Sequence, residues 1–234
     1  MNKKILAVIL ARSGSTRLKN KLFKKINGQS VLSIFYKRLK MCKMIDEIIL
    51  ATSKKKADDR IVNFASRNGL KYFRGSEKNV LSRLVNSTKK AKINPDIVLR
   101  ANADNTLIMP NIIDKEIQLF LKSRGDVSTP FDRNTSPFGM SLVIFKIKTL
   151  YKILNKTRQK KYLEHIENYC FDNPRIFKIF RPVHTNKFQF SNLKLSLDTL
   201  DDYKKIKFYF NKLKKISINK QAEYLVKFAR QYEK

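Results

Sequence analysis

The stretch Lys4–Lys21, KILAVILARSGSTRLKNK, decides how the rest of the sequence is read. Its first part, Lys4–Leu10, is an unbroken apolar run of strand length, which predicts a strand buried on both faces. The apolar residues Ile5–Ala11 are far fewer than the ~20 that a bilayer-spanning helix needs. Lys3 and Lys4 flank them, but no small-residue cleavage site follows, so the run reads as a strand and not as a leader. Its second part, Ala11-Arg12-Ser13-Gly14-Ser15-Thr16-Arg17, is a loop containing glycine. Small residues there let backbone amides come close to phosphate oxygens, and Arg12, Arg17 and Lys21 supply cations for them. The loop lacks the Gly-Lys-Ser/Thr ending of a P-loop and the three glycines of a dinucleotide fingerprint. An ordinary polar strand-to-helix connection has a similar composition, so spacing alone leaves both readings open.

Working outward, apolar runs alternate with helical patterns. A helix is predicted near Val31–Lys40, a strand at Glu47–Ala51, and a helix over Asp58–Asn68 that stops at Gly69. Tyr72–Phe73 is a short strand, Asn79–Lys92 a helix, Ile97–Ala101 a strand and Asn111–Lys122 a helix. This alternation predicts an α/β fold: a three-layer sandwich with a mostly parallel mixed sheet and right-handed crossovers. The pattern changes after Asp126. Met140–Phe145, Ile176–Pro182 and Leu195–Leu197 read as strands, and Tyr162–Asp172, Leu200–Leu213 and Lys220–Tyr232 as helices. No low-complexity linker or internal repeat divides the chain. The expectation is one domain over 1–234, with a nucleotide-binding half (1–125) and an acceptor-binding half (126–234).

The 234 residues can bury a sizeable core, and a composition of 42% hydrophobic and 30% charged residues is that of a globular protein. Cys42 and Cys170 are the two cysteines, and neither has a Cys or His neighbour at metal-ligand spacing. A reducing, cytoplasmic setting is therefore expected. Lys and Arg number 51 against 19 Asp and Glu, a formal net charge of +32. Such a charge suits nucleic acid or an anionic surface. Here, however, the lysines are scattered along nearly every segment, with no basic stripe, RNA-binding aromatic motif or helix-turn-helix pattern. No specific nucleic-acid partner and no membrane partner are expected, whereas an anionic small molecule is favoured.

In a parallel sheet, ligands bind beyond the carboxyl ends of the strands. The Gly14 loop lies at one such end, and Asp104, after Ile97–Ala101, at another. A carboxylate placed there suits a divalent cation bridging phosphate oxygens, and it equally suits a turn or helix cap. Asp198, after Leu195–Leu197, has the same two readings, as metal ligand or as N-cap of the next helix. Taken together, the loop cations and the two aspartates fit phosphoryl-group transfer, where Mg²⁺ and cationic side chains stabilise charge on the α-phosphate and the departing pyrophosphate.

Ala11–Lys21 resembles the opening motif of the cytidylyltransferase family that contains the spore-coat polysaccharide protein SpsF, relatives of the enzymes activating 3-deoxy-octulosonate and sialic-type acids. Four further blocks agree in order: Phe73–Arg83 (FRGSEKNVLSR), Leu99–Asp114 (LRANADNTLIMPNIID), Glu164–Pro174 (EHIENYCFDNP) and Leu195–Asp202 (LSLDTLDD). The resemblance spans almost the whole chain. It implies a Rossmann-like nucleotidyltransferase fold, CTP and a sugar acceptor as substrates, Mg²⁺ as cofactor and pyrophosphate as product, in the synthesis of surface polysaccharide. Ala11, Arg12, Ser13, Gly14, Ser15, Arg17, Lys21 and Arg100 would then bind the nucleotide, with Arg74 and Ser76 near its base and ribose. Lys21, Arg17 and Asp104 would be catalytic, and Asp104 and Asp198 would hold the metal.

The departures from the family pattern are informative. Leu18-Lys19-Asn20-Lys21 stands for Leu-Pro-Gly-Lys, and Ala103-Asp104-Asn105-Thr106-Leu107 for Gly-Asp-Cys-Pro-Leu, so the lysine and the aspartate survive. Ser141 and Val143 stand where relatives carry Asp and Glu, and Glu167-Asn168-Tyr169 where they carry Thr-Pro-Tyr. These changes fall in the second half and imply an altered acceptor pocket. They also motivate an alternative: a nucleotide-binding homologue altered in catalysis. A basic nucleic-acid binder is a further alternative. Glu164 and His165 are acceptor-binding candidates, although His165 also reads as a structural histidine. His184 has no supporting context. Relatives are often dimers, and Met140–Phe145 is a candidate apolar interface for a homodimer.

Overall fold

A computed structural model describes residues 3–129, 137, 139–182 and 193–232. Its centre is β1 (Ile5–Leu10), every residue of which is buried. Side chains alternate across a strand. Ile5, Ala7 and Ile9 therefore enter the apolar core on one face, and Leu6, Val8 and Leu10 enter a second core on the other. Two buried faces explain why the run is apolar without alternation.

Around β1 stand β4 (Glu47–Ser53), β5 (Lys71–Gly75) and β6 (Ile97–Asn102), after a two-residue hairpin pair, β2 (Lys25–Ile26) and β3 (Gln29–Ser30). With β7 (Val127–Ser128), β8 (Val143–Lys146) and β9 (Ile179–Phe180) they form a seven-stranded sheet of order β5-β4-β1-β6-β8-β7-β9. Strands β1, β4, β5 and β6 are mutually parallel, and β8 runs antiparallel to both β6 and β7. Leu10 pairs with Ala51 on one side and with Asn102 on the other, and between β5 and β6 the chain crosses from one flank of β1 to the other, so the connections leaving β1 and β6 turn to opposite sides. That is the switch point where such sheets open a crevice.

Helices cover both faces, as expected. On one face lie α1 (Val31–Lys40), α2 (Asp59–Arg67), α4 (Pro110–Lys122), α8 (Leu200–Leu213) and α9 (Gln221–Tyr232); on the other lie α3 (Val80–Thr88), α5 (Ile147–Lys156), α6 (Lys160–Glu164) and α7 (Ile166–Phe171). Their starts follow local chemistry. Ser30 and Asn79 cap α1 and α3 by accepting from Ser33 N and Ser82 N, and Pro110 opens α4 where a missing N–H costs nothing. Thr199 and Asp202 form a reciprocal capping box on α8. The N-cap is thus Thr199 and not Asp198, which leaves the Asp198 carboxylate free for other partners.

Several sequence expectations are corrected. The single helix over Tyr162–Asp172 is two, broken at His165, whose φ of −103° and ψ of 78° are not helical. Leu195–Leu197 is no regular strand, because its backbone serves other groups: Leu197 N donates to Asp104 O (3.0 Å) and Leu197 O accepts from Lys21 Nζ (3.1 Å). The strands expected at Met140–Phe145 and Ile176–Pro182 shrink to β8 and β9. Met140, Leu142, Val143, Ile144 and Phe145 are all buried within the chain, so this segment presents no apolar face to a second copy. Gly139 has a φ of +93°, and a Cβ there would stand 2.9 Å from the Leu195 and Ser196 backbone, so glycine is required where this turn meets the 195–197 segment. Both cysteines are free and buried, and burial pushes each thiol up to about 12.

Candidate functional site

A cavity of about 390 Å³ opens at the carboxyl ends of β1 and β6. Its lining draws on the phosphate-loop residues Ala11, Arg12, Gly14, Ser15 and Arg17, on Lys21, on Arg100 and Asp104 around the end of β6, and on Glu164, His165 and Asp198 from the second half. The loop residues and Asp104 follow the adjacent strands β1 and β6, whereas Glu164 and His165 stand where α6 ends and Asp198 follows the irregular 195–197 segment.

The loop is anchored from below. Ser13 N donates to Asp58 Oδ1 (2.6 Å) and Ser13 Oγ to Ala57 O (3.0 Å), while the other Asp58 oxygen accepts from Ser53 N and Ser53 Oγ. Ser13 does not line the cavity, and its amide is spent on Asp58. Burial pushes the Asp58 carboxyl up, but the Ser53 hydroxyl and the Ser13 amide outweigh it and hold the group below the usual carboxylate range. A depressed folded-state value adds stability that is full above the unfolded value near ~3.9 and is lost as pH falls below it. The expected result is that Asp58→Asn flattens the acid limb of a pH–stability curve between about pH 5 and 2, as followed by urea denaturation. An unchanged acid limb would remove Asp58 from this role.

At the far end of the loop three cations meet two aspartates. Lys21 Nζ donates to Asp104 Oδ2 (2.6 Å) and to Asp198 Oδ1 (3.3 Å). Arg17 Nη2 lies 3.4 Å from Asp198 Oδ1, and Lys194 Nζ 3.0 Å from Asp198 Oδ2. Burial raises the Asp198 carboxyl, yet its hydrogen bond to Lys194 and the charges of Lys21 and Lys194 bring it below the ordinary range, so it is ionised.

The third side of the cavity is a buried ion pair. Arg100 Nη1 donates to both oxygens of Glu167 (3.0 and 2.7 Å), and Arg100 Nη2 to the carbonyl of Glu164 (3.0 Å). This grip on the Glu164 carbonyl holds the chain where α6 breaks, and turns Glu164 and His165 into the cavity. Arg12 Nη2 bonds Glu164 Oε1 at 2.7 Å. Glu167, the residue that stands for a threonine of the family pattern, is therefore the partner of Arg100.

Not all candidates meet here. Arg74 and Ser76 lie outside the lining: Arg74 bonds Asp59, Ser53 O and Lys55 O, and Ser76 Oγ accepts from Asn79 N. Ser141 and Val143 are buried and also outside it, with Ser141 Oγ bonded to Glu116, so the substitutions there remove no carboxylate from the cavity wall. His184 lies outside the described residues. Arg83, which sequence reading left within its block, does line the cavity. It is 2% exposed and bonds the carbonyls of Ser76 and Glu77, and burial, then the nearby Arg12 charge, lowers it to about 10. On α3 its position reads as one more surface cation.

Among the described residues no three His, Cys, Asp or Glu side chains cluster as a metal centre, and no helix is long and apolar enough to cross a membrane.

A parallel sheet with a crevice at its switch point, lined by a cationic loop and facing carboxylates, defines a nucleotidyltransferase. The sequence pattern of the cytidylyltransferase family matches residues 6–230, and the chain belongs to that family. It is 28% identical over 213 residues to the spore coat polysaccharide biosynthesis protein SpsF of Bacillus subtilis, covering 89% of this chain and 87% of that protein. An uncharacterized protein of Methanocaldococcus jannaschii, MJ1063, is 37% identical over 202 residues, covering 86% and 81% of the two chains. The structure of a cytidylyltransferase from Leptospira borgpetersenii serovar Hardjo-bovis matches with a TM-score of 0.88 at 29% identity, covering 99% of this chain and 95% of that one.

Proposed function

We propose that this cytidylyltransferase moves CMP from CTP to an acidic or phosphorylated sugar in the cytoplasm, for surface polysaccharide synthesis, with release of pyrophosphate. The observation that carries the reading is the convergence of Arg12, Arg17 and Lys21 with Asp104 and Asp198 on one cavity. The likeness to SpsF supports a polysaccharide precursor as product.

The donor set suits Mg²⁺. Asp104 and Asp198 both reach one ammonium, and Mg²⁺ takes one or two carboxylates with the remaining positions left to phosphate and water. These two residues would hold it, and when bound it would neutralise charge on the phosphates. The protein's own residues do the rest. The Gly14 amide, with Arg12, Arg17 and Lys21, binds and orients the triphosphate, while the Ser15 amide is spent on the Ser13 carbonyl (2.8 Å). An acceptor oxygen attacks the α-phosphorus in line; the new O–P bond forms as the bond to the β-phosphate oxygen breaks, and pyrophosphate leaves with the electron pair. Lys21 and Arg17 offset the charge that develops there. Glu164 and His165 orient the acceptor, with residues 1–125 acting as the nucleotide half and 126–234 as the acceptor half of one domain.

Pyrophosphate release across the four nucleoside triphosphates, each with a panel of carboxylated and phosphorylated sugars, tests this. Turnover with CTP and an anionic sugar is expected. Tight CTP binding with no turnover on any acceptor would instead support a nucleotide-binding protein altered in catalysis.

A further inference from the structure

The cation nearest both Asp104 and Asp198 belongs to the protein itself. Lys21 Nζ donates to Asp104 Oδ2 at 2.6 Å, to Asp198 Oδ1 at 3.3 Å and to the Leu197 carbonyl at 3.1 Å. The ammonium is largely withdrawn from solvent, its side chain being 14% exposed. We propose that Lys21 is the resident counter-cation of the Asp104–Asp198 pair, and that it leaves only as a divalent cation arrives, so that metal and triphosphate enter together. The inference rests on the reading of Asp104 and Asp198 as the metal carboxylates.

The charges around the pair carry the argument. Asp198 also meets Arg17 and Lys194, and Lys194 reaches Asp202 at 3.1 Å. Lys21, Arg17 and Lys194 thus balance Asp104, Asp198 and Asp202, three against three. A bare divalent cation approaching this neutral cluster meets an ammonium already seated on both carboxylates, and like charges at such spacing repel strongly where water is scarce. A bare triphosphate has the opposite difficulty: drawing Lys21 and Arg17 to itself would take the Lys21 cation from Asp104 and leave Asp198 and Asp202 sharing Lys194, beside a polyanion. Arg12 repeats the pattern, since its guanidinium is held by Glu164. When metal and nucleotide arrive together, the phosphates take the cations and the metal takes the carboxylates, and each charge keeps a partner. A lysine suits this exchange, being a compact charge on a flexible stem that can swing between partners.

The test uses Mn²⁺ as probe, its free concentration read by electron paramagnetic resonance. Without nucleotide, the unaltered protein is expected to bind Mn²⁺ weakly, Lys21→Met at least tenfold more tightly, and Lys21→Arg, which keeps a cation, no better than the unaltered protein. Adding CTP should tighten Mn²⁺ binding at least tenfold in the unaltered protein and much less in Lys21→Met. Should Lys21→Met fail to fold by circular dichroism, Lys21→Gln takes its place. Mn²⁺ affinity of the charge-removed variant within twofold of the unaltered protein, nucleotide absent, would overturn the proposal. The Asp104→Asn/Asp198→Asn double variant separates the two readings. If it keeps full Mn²⁺ affinity with CTP present, the metal assignment itself is wrong. If it loses that affinity while removal of the Lys21 charge changes nothing, only the Lys21 inference fails.

Discussion

Asp104→Asn is expected to slow pyrophosphate release from CTP by about a hundred- to a thousand-fold, because one of the two carboxylates that would hold the charge-neutralising Mg²⁺ is lost, a loss comparable to removing one group that stabilises the transition state electrostatically. Asp104 sits just past the end of β6, one residue beyond Ala103, whose amide donates to the Leu10 carbonyl, so its position is fixed by the two central strands. Its carboxylate meets Lys21, and its carbonyl accepts from Leu197 N. The substitution keeps the volume and the backbone bond while removing the charge. The side chain is 25% exposed, so the fold should persist and the effect should fall on turnover. Steady-state kinetics and a thermal melt on the same sample check this. A rate within threefold of the unaltered enzyme would take Asp104 out of the reaction.

The second large effect is on stability. Glu167→Ala would leave the Arg100 guanidinium buried without its carboxylate, both side chains of the pair being 6% exposed. Breaking a buried pair from one side costs about 3–5 kcal/mol, because an uncompensated charge stays behind. In a chain of this length that corresponds to a melting point lower by roughly 10 °C. Replacing both partners, as Glu167→Ala with Arg100→Met, should recover much of the loss, since an apolar pair of similar volume needs no such compensation. Chemical denaturation of the two variants checks both expectations, and a loss under about 1 kcal/mol in the single variant would mean that Arg100 finds other partners.

Much of the fold was legible because its strongest signals are local. The unbroken apolar run of β1 and the run of β6, apolar apart from Arg100 and Asn102, announced buried strands, and the residues following them, Arg12 to Lys21 and Asp104, could be assigned to strand ends. Asp198 was legible by the same logic, although its supposed strand proved to be a segment whose backbone bonds Asp104 and Lys21. What escaped was set by tertiary contact. α5 follows β8 directly, Lys146 to Ile147, with no turn residue to mark the change, although Ile147, Leu150 and Ile153 repeat at helical spacing. The break at His165 has no glycine or proline; the Arg100 bond to the Glu164 carbonyl accompanies it, 64 residues away in sequence. Arg83 looked like a surface residue because nothing local says that its helix faces a cavity.

The span of the Lys21 bonds has a consequence for how the protein is made. Lys21 and Asp198 are separated by 177 positions, and Arg12 and Glu164 by 152. A chain emerging from the ribosome can pair β1, β4, β5 and β6 from local hairpin-free crossovers early, since all lie before Asn102. The cavity wall, however, closes only once Asp198 has emerged and α8 can dock. Until then the cationic loop can meet Asp104 and Glu164 but lacks Asp198, the partner that Arg17 and Lys21 share. Synthesis therefore delivers the sheet first and the enzyme last, and a chain cut short before Asp198 would have every described strand and no complete site.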